Sequence, residues 1–511
     1  MELGVVELNR EICRTARLSR DARFDGKFFI AVRTTRIFCR PVCPAVSPKE
    51  GNVDYYPSAA AALQAGFRPC LRCRPESWGT AAWDGTSTTV ARALRLIHEG
   101  ALDGRGDGRA DGAGEDSNVD AFAERLGIGS RHLRRLFWQH LGATPIAVAQ
   151  AQRLLSAKKL IDETQLPLTT IAIASGYGSI RRFNAAFRAT YGRSPRELRR
   201  KSKRASSSGP CTLQLRFRPP YDYDALLEFI ARRAVAGVES ICGDVYRRTF
   251  VLDGETGWLE VKPNGSHALT LRVDFAGPAR LLHIVARVRR MFDLDADPLA
   301  INSSLKRDPL LARLIKARPG LRVAGAWDGF QLGVRAILGQ QVSVAGASTL
   351  TARLAAKFGH PVPFEVDGLA CTFPTADELV AADLAIGIPA SRGEAIHEFA
   401  RAVASGALTF DRGESATFVE RLSAIRGLGP WTAQYIAMRA LSDPDAFPSG
   451  DLVLLRAARM KKTGELEQHA ERWRPWRAYA AMHLWQGVKD GTINMLYVDG
   501  KPHRKAAAGG G

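Results

Sequence analysis

LSAIRGLGPWTAQYIAMRAL, residues 422–441, decides how the larger half of this chain folds. It reads as a short helix ending at Arg426, a tight hairpin at Gly427 to Gly429, and a second helix beginning near Trp431. Glycines permit positive φ, and the N–H groups at the start of the second helix can point at a phosphate. Taken alone, G-x-G between helices is equally an ordinary αα-turn. Downstream, FPSGDLVLL (residues 447–455) sets Asp451 just before an apolar helix, where an aspartate also serves as a plain N-cap. Helical periodicity, in long Ala/Leu/Arg-rich runs, extends from about Ala324. The preceding segment, about 211–323, is mixed, because TFVLDGETGWLEVKP and ALTLRVDF alternate like strands with GE and NG at turns.

The rest of the chain divides around two linkers. GALDGRGDGRADGAGEDS (100–117) is Gly- and Asp-rich and without period, so a flexible insert is expected there. KSKRASSSGP (201–210) is a basic, Ser-rich joint. A length of 511 residues suggests three or four domains. The terminal AAAGGG is set aside as filler. The charge of +20, from 72 Lys+Arg against 52 Asp+Glu, asks for a polyanionic partner, nucleic acid first. The start of the chain lacks an apolar signal core, and no stretch reaches the roughly 20 apolar residues of a membrane span. Eight cysteines are too few for a disulfide scaffold in a chain this long, so a reducing cytoplasm is expected.

Four cysteines (Cys13, Cys211, Cys242 and Cys371) are scattered and read as small apolar residues. The others cluster as FCRPVC (Cys39, Cys43) and RPCLRC (Cys70, Cys73). C-x3-C and C-x2-C pairs joined by a longer loop can surround one Zn²⁺ with four thiolates. Spacing alone leaves open a purely structural zinc knuckle.

The middle of the chain is basic and helical. NVDAFAERLGIGSRHLRRLFWQHLG (118–142) reads as helix, turn, helix, with Leu133, Leu136, Phe137 and Leu141 as the apolar stripe of the second helix. Arg131, Arg134 and Arg135 lie off that stripe. A second copy, LTTIAIASGYGSIRRFNAAFRATYGRSPRELRRK (168–201), keeps Phe183 and Phe187 as anchors with Arg181, Arg182 and Arg188 around them. A repeated helix-turn-helix suits successive major grooves, although a charged helix face can also be merely solvated.

These motifs carry three resemblances. FFIAVRTTRIFCRPVCPA with GFRPCLRCRPE resembles the N-terminal domain of the Ada adaptive-response regulators, over about residues 10–78. It implies that Cys39 accepts a methyl group irreversibly from a DNA methylphosphotriester, with Cys43, Cys70 and Cys73 as the other zinc ligands. Four thiolates around Zn²⁺ carry a net −2, so the sulfur stays ionised and nucleophilic. Methylation lowers that charge to −1, weakens repulsion from DNA phosphates and should raise DNA affinity. An arginine usual in the family is here Val46, whose phosphate contact falls to Lys49 or Arg68. The paired helix-turn-helix resembles the AraC-type regulatory domain over about 87–203, and it follows the zinc domain in the Ada order. No PCHR-type motif follows, so O6-alkylguanine repair is not expected.

The hairpin, Asp451, GVRAILGQQVSVAGA and WRPWRAYAAMHLWQ together resemble the helix-hairpin-helix-GPD superfamily, within it 3-methyladenine-DNA glycosylase II of the AlkA type, over about 211–500. That implies Asp451 as the catalytic carboxylate, Trp431, Tyr435 and Trp485 as the alkylbase pocket, and a DNA grip at Gly427 and Gly429. The family's wedge leucine appears as Gln341. Bifunctional relatives carry a lysine where this chain has Trp431, so a monofunctional enzyme is expected. No cysteine follows Cys371, so no C-terminal iron–sulfur cluster is expected.

The expected architecture is multidomain and mainly α with α+β parts. It comprises a zinc methyl-acceptor domain (1–80), an AraC-type double helix-turn-helix (86–204), an AlkA-type N-terminal α/β domain (211–323) and an all-α helix-hairpin-helix glycosylase domain (324–500). One Zn²⁺, double-stranded DNA, RNA polymerase and a monomeric, nucleoid-associated state complete the reading. Its rival is a pure regulator whose glycosylase-like half only binds DNA.

Overall fold

The computed structural model describes residues 8–21, 24–75, 88–98, 101–102, 113–164, 166–199, 210–277, 280–410, 415–493, 497–498 and 501–502. The first element is the helix Arg10–Leu18, capped by the Asn9 side chain. A sheet follows: β1 (Phe29–Val32), β2 (Ile37–Cys39), β3 (Val53–Tyr56) and β4 (Arg68–Pro69), in the order β3-β1-β2-β4. Only β2 and β4 run parallel. The alternation in FFIA builds two cores, since successive side chains of a strand point to opposite faces. Phe28 and Ile30 pack with Cys13, Ala16 and Val53 on one face. Phe29 and Ala31 pack with Phe38, Ala62 and Phe67 on the other.

Seven helices form the basic middle, among them Ala113–Arg125, Ser130–Leu141, Pro145–Glu163, Leu168–Ala174 and Ile180–Tyr191. Of the insert expected at 100–117, residues 100 and 103–112 lie outside the described residues, while 113–117 are helical, in a helix that begins at Ala113 and carries the buried Val119, Phe122 and Ala123. The joint at 201–209 and the terminal AAAGGG also lie outside the described residues. Of the scattered cysteines, Cys13 is buried as expected, whereas Cys242 is exposed at the end of an edge strand.

The C-terminal half opens on an antiparallel sheet of β5 (Cys211–Arg216), β6 (Glu239–Cys242), β7 (Val245–Leu252), β8 (Glu255–Asn264) and β9 (Ala268–Asp274), in the order β5-β9-β8-β7-β6. Asp253–Gly254 and Asn264–Gly265 make its hairpin turns, with positive φ at Asp253, Gly254 and Gly265. One helix, Tyr223–Ala231, lies between β5 and β6, and the continuous helical part begins at Leu281–Met291, earlier than the periodicity alone placed it, and runs to Arg477–Lys489. One strand pair within it, Pro361–Val366 with Leu369–Cys371, was not anticipated. It bridges back to Gly237 of the α/β segment.

The units are packed against one another. Phe183, Phe187 and Tyr191 of the second helix-turn-helix share one core with Leu213, Leu215, Tyr246 and Leu259 of the five-stranded sheet. Arg218 donates through Nε and Nη2 to the backbone carbonyl of Asp25, at 3.3 and 3.2 Å. Lys27 pairs with Asp297 at 3.0 Å, and Arg74 with Asp162 at 2.8 Å. The cysteine-bearing domain therefore sits on both of its neighbours.

Candidate functional site

Asp451 is the N-cap of the helix Leu452–Ala457. Its Oδ1 accepts the backbone N–H groups of Val453 (2.9 Å) and Leu454 (3.0 Å), and the indole N–H of Trp485 (3.1 Å). Among the described residues, its Oδ2 accepts only the indole N–H of Trp431, at 3.1 Å. Capping thus occupies one of the two oxygens. Oδ1 is saturated and fixes the side chain, while Oδ2 keeps acceptor capacity for incoming chemistry.

Three of the expected aromatic residues meet around this carboxylate. Trp431 and Tyr435 lie one turn apart on the helix Pro430–Ala440 and stack with centroids 5.4 Å apart at 6°. Tyr435 meets Trp485 edge-on at 6.5 Å. Trp485 comes from the last long helix, Arg477–Lys489, so the pocket joins elements distant in sequence. All three are half-buried, as a pocket wall must be. Sequence reasoning missed the buried Arg439, whose Nη1 donates to the Tyr435 hydroxyl at 2.7 Å. The i,i+4 spacing of Tyr435 and Arg439 on one helix was the available signal.

The hairpin is built as expected, with its first helix ending at Ser423 rather than Arg426. Gly427 takes φ +85°, which favours glycine strongly. Leu428 is buried and holds the turn down, while Gly427 and Gly429 are exposed. Gly429 caps the next helix without a side chain, so the first N–H groups of that helix stay available to an anion. Gln341 is exposed, at φ +56°, in the loop between Gly329–Leu338 and Val344–Phe358. Its neighbour Val342 is also exposed and apolar, so the loop still offers a hydrophobic tip. Gln340, not singled out before, donates from Nε2 to the Gly427 carbonyl at 2.6 Å and ties this loop to the hairpin.

In the N-terminal domain, β2 ends at Cys39 and β4 leads directly into Cys70. The parallel pairing of β2 with β4 brings both cysteine pairs together. The ligand atoms of Cys39, Cys43, Cys70 and Cys73 all lie within 4.8 Å of one another. Four sulfurs at about 2.3 Å from a tetrahedral ion fit such a cluster. The thiols also show why a cation is required. Mutual hydrogen bonds, led by that of Cys43, push the Cys39 thiol up, while the bonds from Cys39, Cys43 and Cys73 pull Cys70 down. Without a positive charge the four cannot all be ionised. Cys70 and Cys73 are buried, whereas Cys39 and Cys43 are half-exposed, so an acceptor role is open only to the first pair. Arg40 is buried, donates from Nε to Asp25 Oδ1 at 2.8 Å, and lends its backbone N–H to Cys73 Sγ at 3.4 Å. Val46 is 93% exposed, an apolar group where the family places a cation.

Of the expected apolar positions, Leu133, Phe137 and Leu141 are buried in one second helix and Phe183 and Phe187 in the other; Leu136 is only half-buried, and Tyr191, not among the expected anchors, is buried as well. Arg131, Arg135, Arg181 and Arg182 are exposed, and Arg134 is half-exposed. Among the described residues, no helix is long and apolar enough to cross a membrane.

Comparison with known proteins agrees along the chain. The family model of the metal binding domain of Ada matches residues 12–76, a helix-turn-helix domain matches 122–201, and the AlkA N-terminal domain matches 212–328. The chain is 40% identical over 491 residues to a probable bifunctional transcriptional activator/DNA repair enzyme AlkA of Mycobacterium tuberculosis, covering 93% of this chain and 96% of that relative. It is 36% identical over 277 residues to DNA-3-methyladenine glycosylase 2 of Escherichia coli, covering 53% of this chain and 95% of that protein. Over 154 residues it is 35% identical to the bifunctional transcriptional activator/DNA repair enzyme Ada of Escherichia coli, covering 30% and 39%.

Proposed function

The chain belongs to the family of bifunctional transcriptional activator/DNA repair enzymes of the AlkA type, and on that premise we propose that it excises alkylated purines with Asp451 and accepts methyl groups on Cys39. The observation that carries the first half is the Asp451 carboxylate, fixed by Trp431 and Trp485 beside a stacked aromatic wall.

Cleavage of the N-glycosidic bond builds positive charge on the sugar, and a preorganised carboxylate opposite it lowers the barrier. Oδ2 of Asp451 serves that role and orients the attacking water. The target base leaves the stack, with Gln341 and Val342 entering the gap. Alkylation at purine N3 or N7 makes the base cationic, and Trp431, Tyr435 and Trp485 attract it through cation–π contact, worth about 0.5–2 kcal/mol. The open N–H groups after Gly429 hold a DNA phosphate without reading sequence. Trp431 stands where a lyase would carry its amine, so the product is an abasic site without strand cleavage.

At the other end, Cys39, Cys43, Cys70 and Cys73 hold zinc, which when bound supplies the charge that keeps all four sulfurs ionised. Cys39 Sγ attacks the methyl carbon of a neutral methylphosphotriester and displaces the phosphate oxygen. The S–C bond forms, the C–O bond breaks, and its electron pair leaves on the phosphate as a diester anion. The centre loses one negative charge, and DNA affinity rises. The exposed arginines of the two helix-turn-helix units then hold promoter DNA, with RNA polymerase as the next partner. We assign the four units to residues 1–80, 86–204, 211–323 and 324–500, in a monomeric cytoplasmic protein. Mass spectrometry of the Cys39 peptide after incubation with methylphosphotriester DNA tests the acceptor role: a methyl increment supports it, and an unchanged peptide refutes it.

A further inference from the structure

Behind the aromatic wall, the cationic side chains outnumber the anions. Arg233, Arg248, Arg335 and Arg439 line one small cavity together with Glu239 and Asp328. Both acids are already engaged. Glu239 accepts from the Tyr246 hydroxyl at 2.5 Å, from the Val235 N–H at 3.0 Å, and pairs with Arg248 at 3.6 Å. Asp328 caps its own helix through Gln331. Arg335 bonds Ser348 through Nη2, but its Nη1 is buried without a partner. Arg233 lies over the Phe229 ring at 3.6 Å and donates from Nη1 to the Phe229 carbonyl at 3.2 Å.

The Tyr435 hydroxyl faces this excess. Arg439, fixed by the carbonyls of Ala324 and Gly325, donates to it at 2.7 Å, and Arg233 is within hydrogen-bonding reach of it. Among the described residues its hydrogen-bonding neighbours are donors, and no acceptor faces its proton. A phenol so placed wastes its hydrogen, whereas a phenolate accepts from both guanidiniums.

We infer that Tyr435 reads the charge of the flipped base as a phenolate: its proton leaves to bulk water, Arg439, Arg233 and Arg335 hold the oxygen anion, and the electron-rich ring favours a cationic purine over a neutral one. The inference rests on the placement of Tyr435 in the alkylbase pocket. Burial pushes the Tyr435 hydroxyl up, but the charges of Arg439, Arg233 and Arg335 outweigh it and hold it at about 8. Glu239 and Arg248 pair with each other, and Asp451 is engaged by the indoles of Trp431 and Trp485. A neutral lesion gains nothing from the extra charge, so the device selects rather than accelerates in general.

The experiment compares excision of 3-methyladenine, a fixed cation, with excision of ethenoadenine, a neutral purine, from duplex DNA between pH 7 and 9, each against an enzyme-free blank. The ratio of kcat/KM values for cation over neutral should rise about tenfold across that window, following the phenolate fraction. In Tyr435→Phe the ratio should stay flat and low across the whole window. Absorbance near 295 nm (a tyrosinate band) should show one tyrosine titrating near pH 8, absent from Tyr435→Phe and moved upward in Arg439→Gln. A flat ratio in the parent, with no tyrosine titrating below pH 9, overturns the phenolate. A Tyr435→Ala variant that excises both lesions normally overturns the pocket placement as well. One that loses both while the parent ratio stays flat leaves the pocket standing and removes only the phenolate.

Discussion

The indole N–H of Trp431 meets Oδ2 of Asp451 at 3.1 Å, from a helix whose own first turn forms the hairpin's exit. The residue standing where a lyase keeps its amine is therefore a positioning group for the carboxylate. Trp485 closes the other side through Oδ1, also at 3.1 Å. The donor that fixes Oδ2 and the exit of the hairpin share one helix.

Removing either indole donor should loosen the carboxylate without emptying the pocket. Trp431→Phe and Trp485→Phe are each expected to lower kcat about tenfold, the loss of one hydrogen bond to a charged group, with KM changed less. Single-turnover base release checks this, and unchanged kcat in both variants would show that the indoles only pack.

The link between the Gln341 loop and the hairpin predicts a binding phenotype. Gln340→Ala removes the 2.6 Å bond to the Gly427 carbonyl and frees both DNA-facing loops at once. Affinity for damaged duplex should fall about three- to tenfold while kcat at saturation holds. Fluorescence anisotropy paired with saturating kinetics separates the two parameters.

Asp25 and Arg40 are both buried, and their ion pair stands behind the zinc cluster. Asp25→Ala would take the buried carboxylate away from the Arg40 guanidinium, at a cost of about 3–5 kcal/mol. The backbone that donates to Cys73 Sγ would then lose its support. Faster zinc release to a chromogenic chelator is the expected result, with the glycosylase half still active.

His483 sets part of the acid limb of stability. It is 3% exposed, and burial holds its imidazole down to about 4. The unfolded chain, titrating near 6.5, takes up the proton first. The contribution is thus full above pH 6.5 and is lost as pH falls toward 4, about 3 kcal/mol in all. Denaturant melts at pH 7 and 4.5 should show a smaller drop for His483→Gln than for the parent.

The sequence made the local motifs legible because each depends on near neighbours. The alternation in FFIA, the stripes ending at Leu141 and Phe187, and the Gly427 turn are all written in short windows. The two cysteine pairs could be joined because their chemistry demands a common ion. Asp451 was legible only with its context, since an N-cap aspartate is common, and the structure gives one oxygen to the cap and leaves the other available. What stayed hidden was tertiary. Nothing local announces that Arg233 and Arg335 converge on Tyr435, that Gln340 reaches Gly427, or that the second helix-turn-helix shares its core with the five-stranded sheet. The early start of the helix at Ala113 was masked by Gly- and Asp-rich composition, which buried contacts further along override.

One paired assay, on a duplex holding both 3-methyladenine and a methylphosphotriester, separates the chemistry of Asp451 from that of Cys39. Asp451→Asn should release base at least about 10²-fold more slowly while its Cys39 peptide still gains a methyl group, and Cys39→Ala should show the converse. Undiminished base release by Asp451→Asn, or a methylated N-terminal domain in Cys39→Ala, would contradict the account.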